Sequence, residues 1–344
     1  VVQSRVEVYD VVSRSLAGNH NYAELPHGCH IGAVWNLLWT WGRPNIDYNK
    51  LFVWQRVNHF PDSKFLTRKD CLKRCVDRPQ MVEAFRVIPD TFVLPRDYCQ
   101  FVDAYTNNRS LDPPKTMWIL KPVSLSRGRG ISVISDISEV HYREPSIIQE
   151  YIEKPLLLDE YKFDLRVYVL VMSFNPLEAY IYKEGFARLA TVKYSSSPSN
   201  YRNRLMHLTN TSVQRKHAGS LPYDKHRMLG GKLVLVIEPR CFFRGTKLSF
   251  EDLSDRLEER GIGWAILWEK VKDVVVRTLV MCEHMINFQV NSFELYGFDV
   301  IFDESLRAWL LEVNSSPSMN LDTLLDERIK VALIRYGTSI FGIR

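Results

Sequence analysis

The chain has 344 residues, 46% of them hydrophobic and 25% charged, a mix that excludes a disordered, collagen-like or coiled-coil protein. At roughly 100–200 residues per domain, this length predicts two or three lobes. Forty-five Lys and Arg against 40 Asp and Glu leave a net charge of +5, which suits an acidic partner without demanding nucleic acid.

No run approaches the roughly 18 apolar residues of a membrane span, so no membrane association is expected. Cys29, Cys71, Cys75, Cys99, Cys241 and Cys282 are too sparse for a disulfide framework, and Cys71 and Cys75 are not spaced as a C-x-x-C. They read as free thiols in a reducing cytosol. The N-terminus has neither an initiator Met nor a basic-then-apolar leader, which reads as a domain cut from a longer chain, without a signal peptide.

Residues 1–66 carry Trp35, Trp39, Trp41 and Trp54 on short strand-like pieces, predicting a small α/β lobe. Thr67-Arg68-Lys69-Asp70 predicts a helix start, with Thr67 as the cap and Asp70 at the third helical position. Strands are expected at 116–120, 130–134, 147–152 and 163–172. Two more are expected at 178–182 and 186–191, joined around Lys183-Glu184-Gly185. Residues 193–204 suit a mobile loop, 250–260 and 264–286 read as helices, and 298–302 with 308–313 as a closing hairpin. The class is α/β (α+β) with much antiparallel sheet, not an alternating dinucleotide-binding pattern.

The chemistry concentrates in a few places. In the hairpin, Glu312 and Asn314 project to one side, and a four-residue loop at 304–307 would set Asp299 opposite Glu312. Two carboxylates and an amide oxygen suit Mg²⁺; the alternative is a solvated hairpin with incidental acids. Lys121-Pro122 leaves a strand ahead of Ser126-Arg127-Gly128-Arg129-Gly130, a phosphate clamp or else a basic surface hairpin. Lys162, Asp164 and Arg166 share one face of an apolar strand, facing either a ligand or one another. His207-Leu208-Thr209-Asn210-Thr211-Ser212 reads equally as a site or a capped turn. Arg188 could hold a carboxylate bidentately or be a surface charge.

The order of these segments resembles the tubulin–tyrosine ligase-like family, a group of ATP-grasp ligases. The match is carried by Lys121-Pro122, Arg127-Gly128-Arg129-Gly130-Ile131, Gln149-Glu150-Tyr151-Ile152, Lys162-Phe163-Asp164-Leu165-Arg166, His207-Leu208-Thr209-Asn210, Gly297-Phe298-Asp299 and Trp309-Leu310-Leu311-Glu312-Val313-Asn314-Ser315-Ser316-Pro317. It extends from about residue 58 to 330.

The resemblance implies three lobes, taken as residues 1–70, 71–187 and 188–344, with ATP between two antiparallel sheets. By motif, Lys121, Arg127 and Gly128 would meet the phosphates. Gln149, Glu150, Tyr151 and Ile152 would line the adenine slot. Lys162, Phe163 and Asp164, with Thr209 and Asn210, complete the nucleotide set. Asp299, Glu312 and Asn314 would hold two Mg²⁺ ions. Arg188, Thr211, Ser212, Lys232 and Lys330 would grip the incoming amino acid. The transfer step would rest on Arg166, Glu312 and Arg127.

The implied reaction joins free L-glutamate to glutamate side chains of acidic tubulin tails through an acylphosphate. Arg127 and Ser315 lean it towards starting a branch rather than lengthening one. The implied setting is a monomer on cytoplasmic microtubules, including those of the cilium, flagellum or basal body. Alternatives are a glycine ligase, a ligase for another acidic tail, and a catalytically silent microtubule binder.

Overall fold

The structure is a computed structural model that describes residues 6–17, 35–78, 85–111, 117–126, 128–218 and 246–341. Its first part contains α1 (Val6–Ala17), a two-residue parallel pairing of β1 (Leu37–Leu38) with β2 (Arg56–Val57), and helices α2 (Lys64–Thr67) and α3 (Lys69–Val76). Arg68, not Thr67, occupies the N-cap of α3. Thr67 closes α2 instead, its hydroxyl donating to the Ser63 carbonyl at 3.0 Å, and Asp70 pairs with Arg68 at 3.1 Å. A preceding helical turn leaves Thr67 no extended backbone from which to cap.

A four-stranded antiparallel sheet follows, built from β3 (Thr91–Leu94), β4 (Trp118–Pro122), β5 (Ser132–Ile134) and β6 (Ser146–Glu150) in the order β3-β6-β4-β5. Helix α4 (Tyr98–Arg109) covers one face, where Phe101 and Tyr105 pack on Trp118, Leu120 and Ile148.

The second sheet is larger. It holds β7 (Leu157–Leu158), β8 (Tyr161–Phe174), β9 (Leu177–Leu189), and, after α5 (Arg204–His207) and α6 (Thr211–Ala218), β10 (Lys247–Ser249). Helices α7 (Phe250–Glu258) and α8 (Trp264–Glu283) precede the hairpin β11 (Glu294–Phe302) and β12 (Ala308–Asn314), and α9 (Leu324–Phe341) ends the described chain. The strand order is β10-β9-β8-β11-β12, with β7 on β8.

Strand β8 organises this sheet because its side chains alternate faces. Phe163, Leu165, Val167, Val169 and Val171 enter the main core beneath α7 and α8, among Leu253, Leu257, Leu267 and Val271. On the other face, Tyr168 and Leu170 join Val11, Val12, Ile329 and Leu333 from α1 and α9. The first part is therefore packed onto the large sheet. It is also tied there by buried Glu294, which accepts from the Phe60 amide at 2.8 Å and meets His59 at 3.3 Å.

The expected boundaries at 70/71 and 187/188 fall inside α3 and β9. The chain leaves the small sheet at Glu150 and joins the large one at Leu157. The expected turn at residues 183–185 is continuous strand within β9. Gly185 is there for close approach: a Cβ would lie 2.3 Å from the Arg166 carbonyl oxygen and 2.5 Å from the Phe250 ring. Residues 193–204 contain a short 3₁₀ turn, Pro198–Asn200, and Tyr201 is buried beneath it. Among the described residues, no helix is long and apolar enough to cross a membrane.

Candidate active site

The two sheets face each other across a cleft. The small sheet contributes Lys121 from β4 and Gln149 and Glu150 from β6, followed by Tyr151 and Ile152 in the link to the large sheet. The large sheet contributes Lys162 and Asp164 from β8, Arg188 from β9, Asp299 from β11 and Glu312 from β12. Thr209 and Asn210, between α5 and α6, and Gly128 in the β4–β5 loop complete the rim. Gly128 sits at φ +73°, and a Cβ there would lie 2.8 Å from Val213 Cγ2, so both backbone and space require glycine.

Buried cations dominate the cleft. Lys121 Nζ donates to Gln149 Oε1 at 2.6 Å, and Lys162 Nζ to Tyr151 Oη at 2.7 Å. Burial pushes the two ammonium groups down to about 8 and about 7 respectively.

Asp299 and Glu312 are direct partners across the β11–β12 ladder, by a different route from the expected one. The turn pairs Phe302 with Ala308, and Leu311 is an extra residue on β12, a bulge that restores the opposition of the two acids. Asp299 takes Arg166 bidentately at 2.6 and 3.1 Å and Arg188 at 2.8 Å. Glu312 meets Lys69 at 3.3 Å, and Asn314 Nδ2 lies 3.4 Å from Asp299 Oδ2.

Among the described residues no cluster of three His, Cys, Asp or Glu forms, so a cation here needs the Asn314 amide as third donor. The set still fits a hard cation. It is all oxygen when the amide turns, it faces one cleft, and both carboxylates already attract positive groups. Burial would raise the Asp299 pKa, but the two guanidinium groups outweigh it and hold it down to about 2.

The tubulin-tyrosine ligase family model matches residues 46–337. The chain belongs to that family. It is 37% identical to human tubulin polyglutamylase TTLL5 over 343 residues, 96% of this chain and 25% of that protein. It is 37% identical to human probable tubulin polyglutamylase TTLL2 over 305 residues, 87% of this chain and 49% of that protein. Human tubulin monoglutamylase TTLL4 is 35% identical over 319 residues, 90% and 25% of the two chains. The chain thus spans between a quarter and a half of these relatives.

Against this family pattern, most expected nucleotide residues line the cleft, with one exception. Phe163 is on the opposite face of β8 from Lys162 and Asp164, within the main core. Arg127 and Lys232 lie outside the described residues. The proposed Lys162–Asp164 pairing is replaced by a bidentate Arg188–Asp164 pair at 2.6 Å, and Thr209 Oγ1 also donates to Asp164 at 2.6 Å. The carboxylate that Arg188 grips here is therefore internal. Thr211 and Ser212 begin α6, next to Asn210, and Ser315 follows β12 directly.

A half-buried cation next to Arg188 that the sequence motifs did not point to is Lys247. In the β10–β9 ladder it stands opposite Arg188. Its ammonium shares Asp326 with Lys330, at 2.8 and 2.7 Å, and both lie over the Phe186 ring. Burial pushes Lys330 down to about 8, against the pull of Asp326. The signal lay in Lys247-Leu248-Ser249-Phe250, a capped helix start with a lysine before it: Ser249 and Asp252 form a full capping box on α7.

Proposed function

We propose that this domain is an ATP- and Mg²⁺-dependent ligase that adds L-glutamate to glutamate side chains of tubulin tails, favouring branch initiation. The observation that carries it is a cleft holding buried Lys121 and Lys162 beside the opposed Asp299 and Glu312, with Arg188, Lys247 and Lys330 next to it. Lys121 and Lys162 bind and neutralise the nucleotide phosphates. Asp299, Glu312 and Asn314 would hold two Mg²⁺ ions, which supply charge neutralisation during phosphoryl transfer. The tail carboxylate displaces ADP to give an acylphosphate, and the glutamate amine then displaces phosphate to leave an isopeptide bond.

Lys247 and Lys330 share the one carboxylate of Asp326, and the excess positive charge favours a substrate with an extra carboxylate, so we add Lys247 to Lys232 and Lys330 in that seat and favour glutamate over glycine. The experiment combines purified protein, microtubules, ATP, Mg²⁺ and one amino acid at a time, read by intact mass and ADP release. Glutamate adducts as single residues on unmodified tails are expected. Glycine adducts would overturn the substrate, and long chains confined to pre-glutamylated tails would overturn initiation. Microtubule capture should weaken with salt. The protein acts as a monomer on the microtubule cytoskeleton, that of cilia included.

Nucleotide binding should also take up protons. An anionic ligand restores the charge on Lys121 and Lys162, whose ordinary pKa is lowered to about 8 and about 7 in the cleft. Near pH 8, about one proton is absorbed per ATP bound, and affinity falls as pH rises from 7 to 9. Calorimetry in buffers of different ionisation heat measures this; a heat independent of buffer would contradict it.

A further inference from the structure

A buried chain links Lys162 and Tyr151 of the cleft to His207, which has no role above. Lys162 Nζ is 2.7 Å from Tyr151 Oη, Tyr151 Oη is 2.8 Å from His207 Nδ1, and His207 Nε2 is 3.1 Å from the Asn200 carbonyl oxygen. Lys162, Tyr151 and His207 are 6%, 5% and 2% exposed.

With Lys162 charged, as an anionic ligand in the cleft makes it, the ammonium only donates, so the Tyr151 oxygen accepts from Lys162 and its own proton is free to go to His207 Nδ1. The Asn200 carbonyl only accepts, so His207 Nε2 carries the ring proton. His207 is thus neutral with a fixed tautomer. Burial first, then the nearby Lys162 charge, hold its pKa down to about 4. Edge-on rings of Tyr151 and Tyr194, 5.5 and 5.8 Å away by centroid, fix its plane.

Lysine has four rotatable bonds, and ordering such a side chain at the moment of binding costs affinity. Lys162 is one of two buried lysines in the cleft, beside Lys121. We propose that His207 is a positioning residue that, through the Tyr151 hydroxyl, holds the Lys162 ammonium pre-aimed at the nucleotide. This rests on the nucleotide reading of the cleft. The same imidazole ties residue 200 to the segment that presents Thr209 and Asn210, so it could instead be only a loop anchor.

Two isosteres separate these duties. In His207→Asn the amide oxygen takes the place of Nδ1 and keeps the acceptor for Tyr151. In His207→Gln the amide nitrogen takes the place of Nε2–H and keeps only the Asn200 anchor. Fluorescent-ATP binding and steady-state kinetics are measured on the full chain. His207→Gln and Tyr151→Phe are expected to raise both the Kd and the KM for ATP about five- to tenfold, the scale of one lost hydrogen bond. For His207→Gln, the kcat at saturating ATP and the KM for glutamate should move less than about twofold. His207→Asn recovers most of the affinity, and the Tyr151→Phe/His207→Gln double variant is no worse than either single one.

Wild-type affinity in His207→Gln, equal loss in His207→Asn, or multiplying losses in the double variant would overturn the positioning role. Should the His207 variants fail to fold, Tyr151→Phe keeps the ring packing and decides alone: unchanged ATP affinity overturns the proposal. A wild-type chain that binds no ATP sinks the nucleotide reading itself, a result distinct from ATP binding that the variants leave unchanged.

Discussion

Glu312→Gln is expected to leave the fold intact and stop ligation, with kcat falling at least roughly 100-fold. Glutamine keeps the shape and removes the charge that faces Asp299 across the ladder. The Glu312 side chain is 22% exposed, and Lys69, which pairs with it, lines the same cleft, so little packing depends on it. A melting point within about 2 °C of wild type is expected. The measurement is ADP release with tubulin and glutamate present, alongside a thermal melt. Turnover at the wild-type rate removes Glu312 from the metal set.

Asp299→Asn behaves differently, because Asp299 also compensates two buried guanidinium groups. Neutralising an acid that did nothing but await a metal would be neutral or stabilising. Here it leaves Arg166 and Arg188 close together with one shared anion fewer, and only Asp164 remains for Arg188. The folded pKa of Asp299, about 2 against an ordinary 3.8, lies below its unfolded value, so its contribution is present above about pH 4 and is lost as pH falls towards 2. That contribution is on the order of 2 kcal/mol, and breaking a buried pair can cost more. The variant should melt several degrees lower at pH 7, and its stability curve should meet the wild-type one in acid. A melting point at or above wild type would show that the arginines do not depend on this carboxylate.

The sequence carried the strands and the hairpin chemistry because both rest on short-range alternation. Lys162, Asp164 and Arg166 had to share a face of one strand, and they do, with Phe163 on the other face by the same rule. Phe163 sits among the motif's charged residues in sequence, but alternation sends its ring into the core. Helices α1, α4 and α9 were not foreseen; the apolar positions of α1 and α9 make sense only against Tyr168 and Leu170 in the second cluster. Gly185 was read as a turn because its steric reason, the Phe250 ring, is distant in sequence. Lys247 was missed for a similar reason: its partners Arg188, Asp326 and Lys330 meet only through β10 and α9.

The bulge at Leu311 divides the closing hairpin into two parts that can change independently. Pairing on the turn side runs Phe302–Ala308 to Val300–Leu310, and pairing on the cleft side resumes at Asp299–Glu312. Variation in the length of the 303–307 turn is taken up on its own side of that joint, where the chain is exposed or half-buried at most positions. The joint itself can also lose its extra residue. Leu310 and Val313 both enter the core while Leu311 and Glu312 both line the cleft, so a chain without residue 311 would alternate regularly and keep Glu312 opposite Asp299. Divergence among domains of this shape should therefore gather at the tip of this hairpin and at position 311, and leave the Asp299–Glu312 pairing in place.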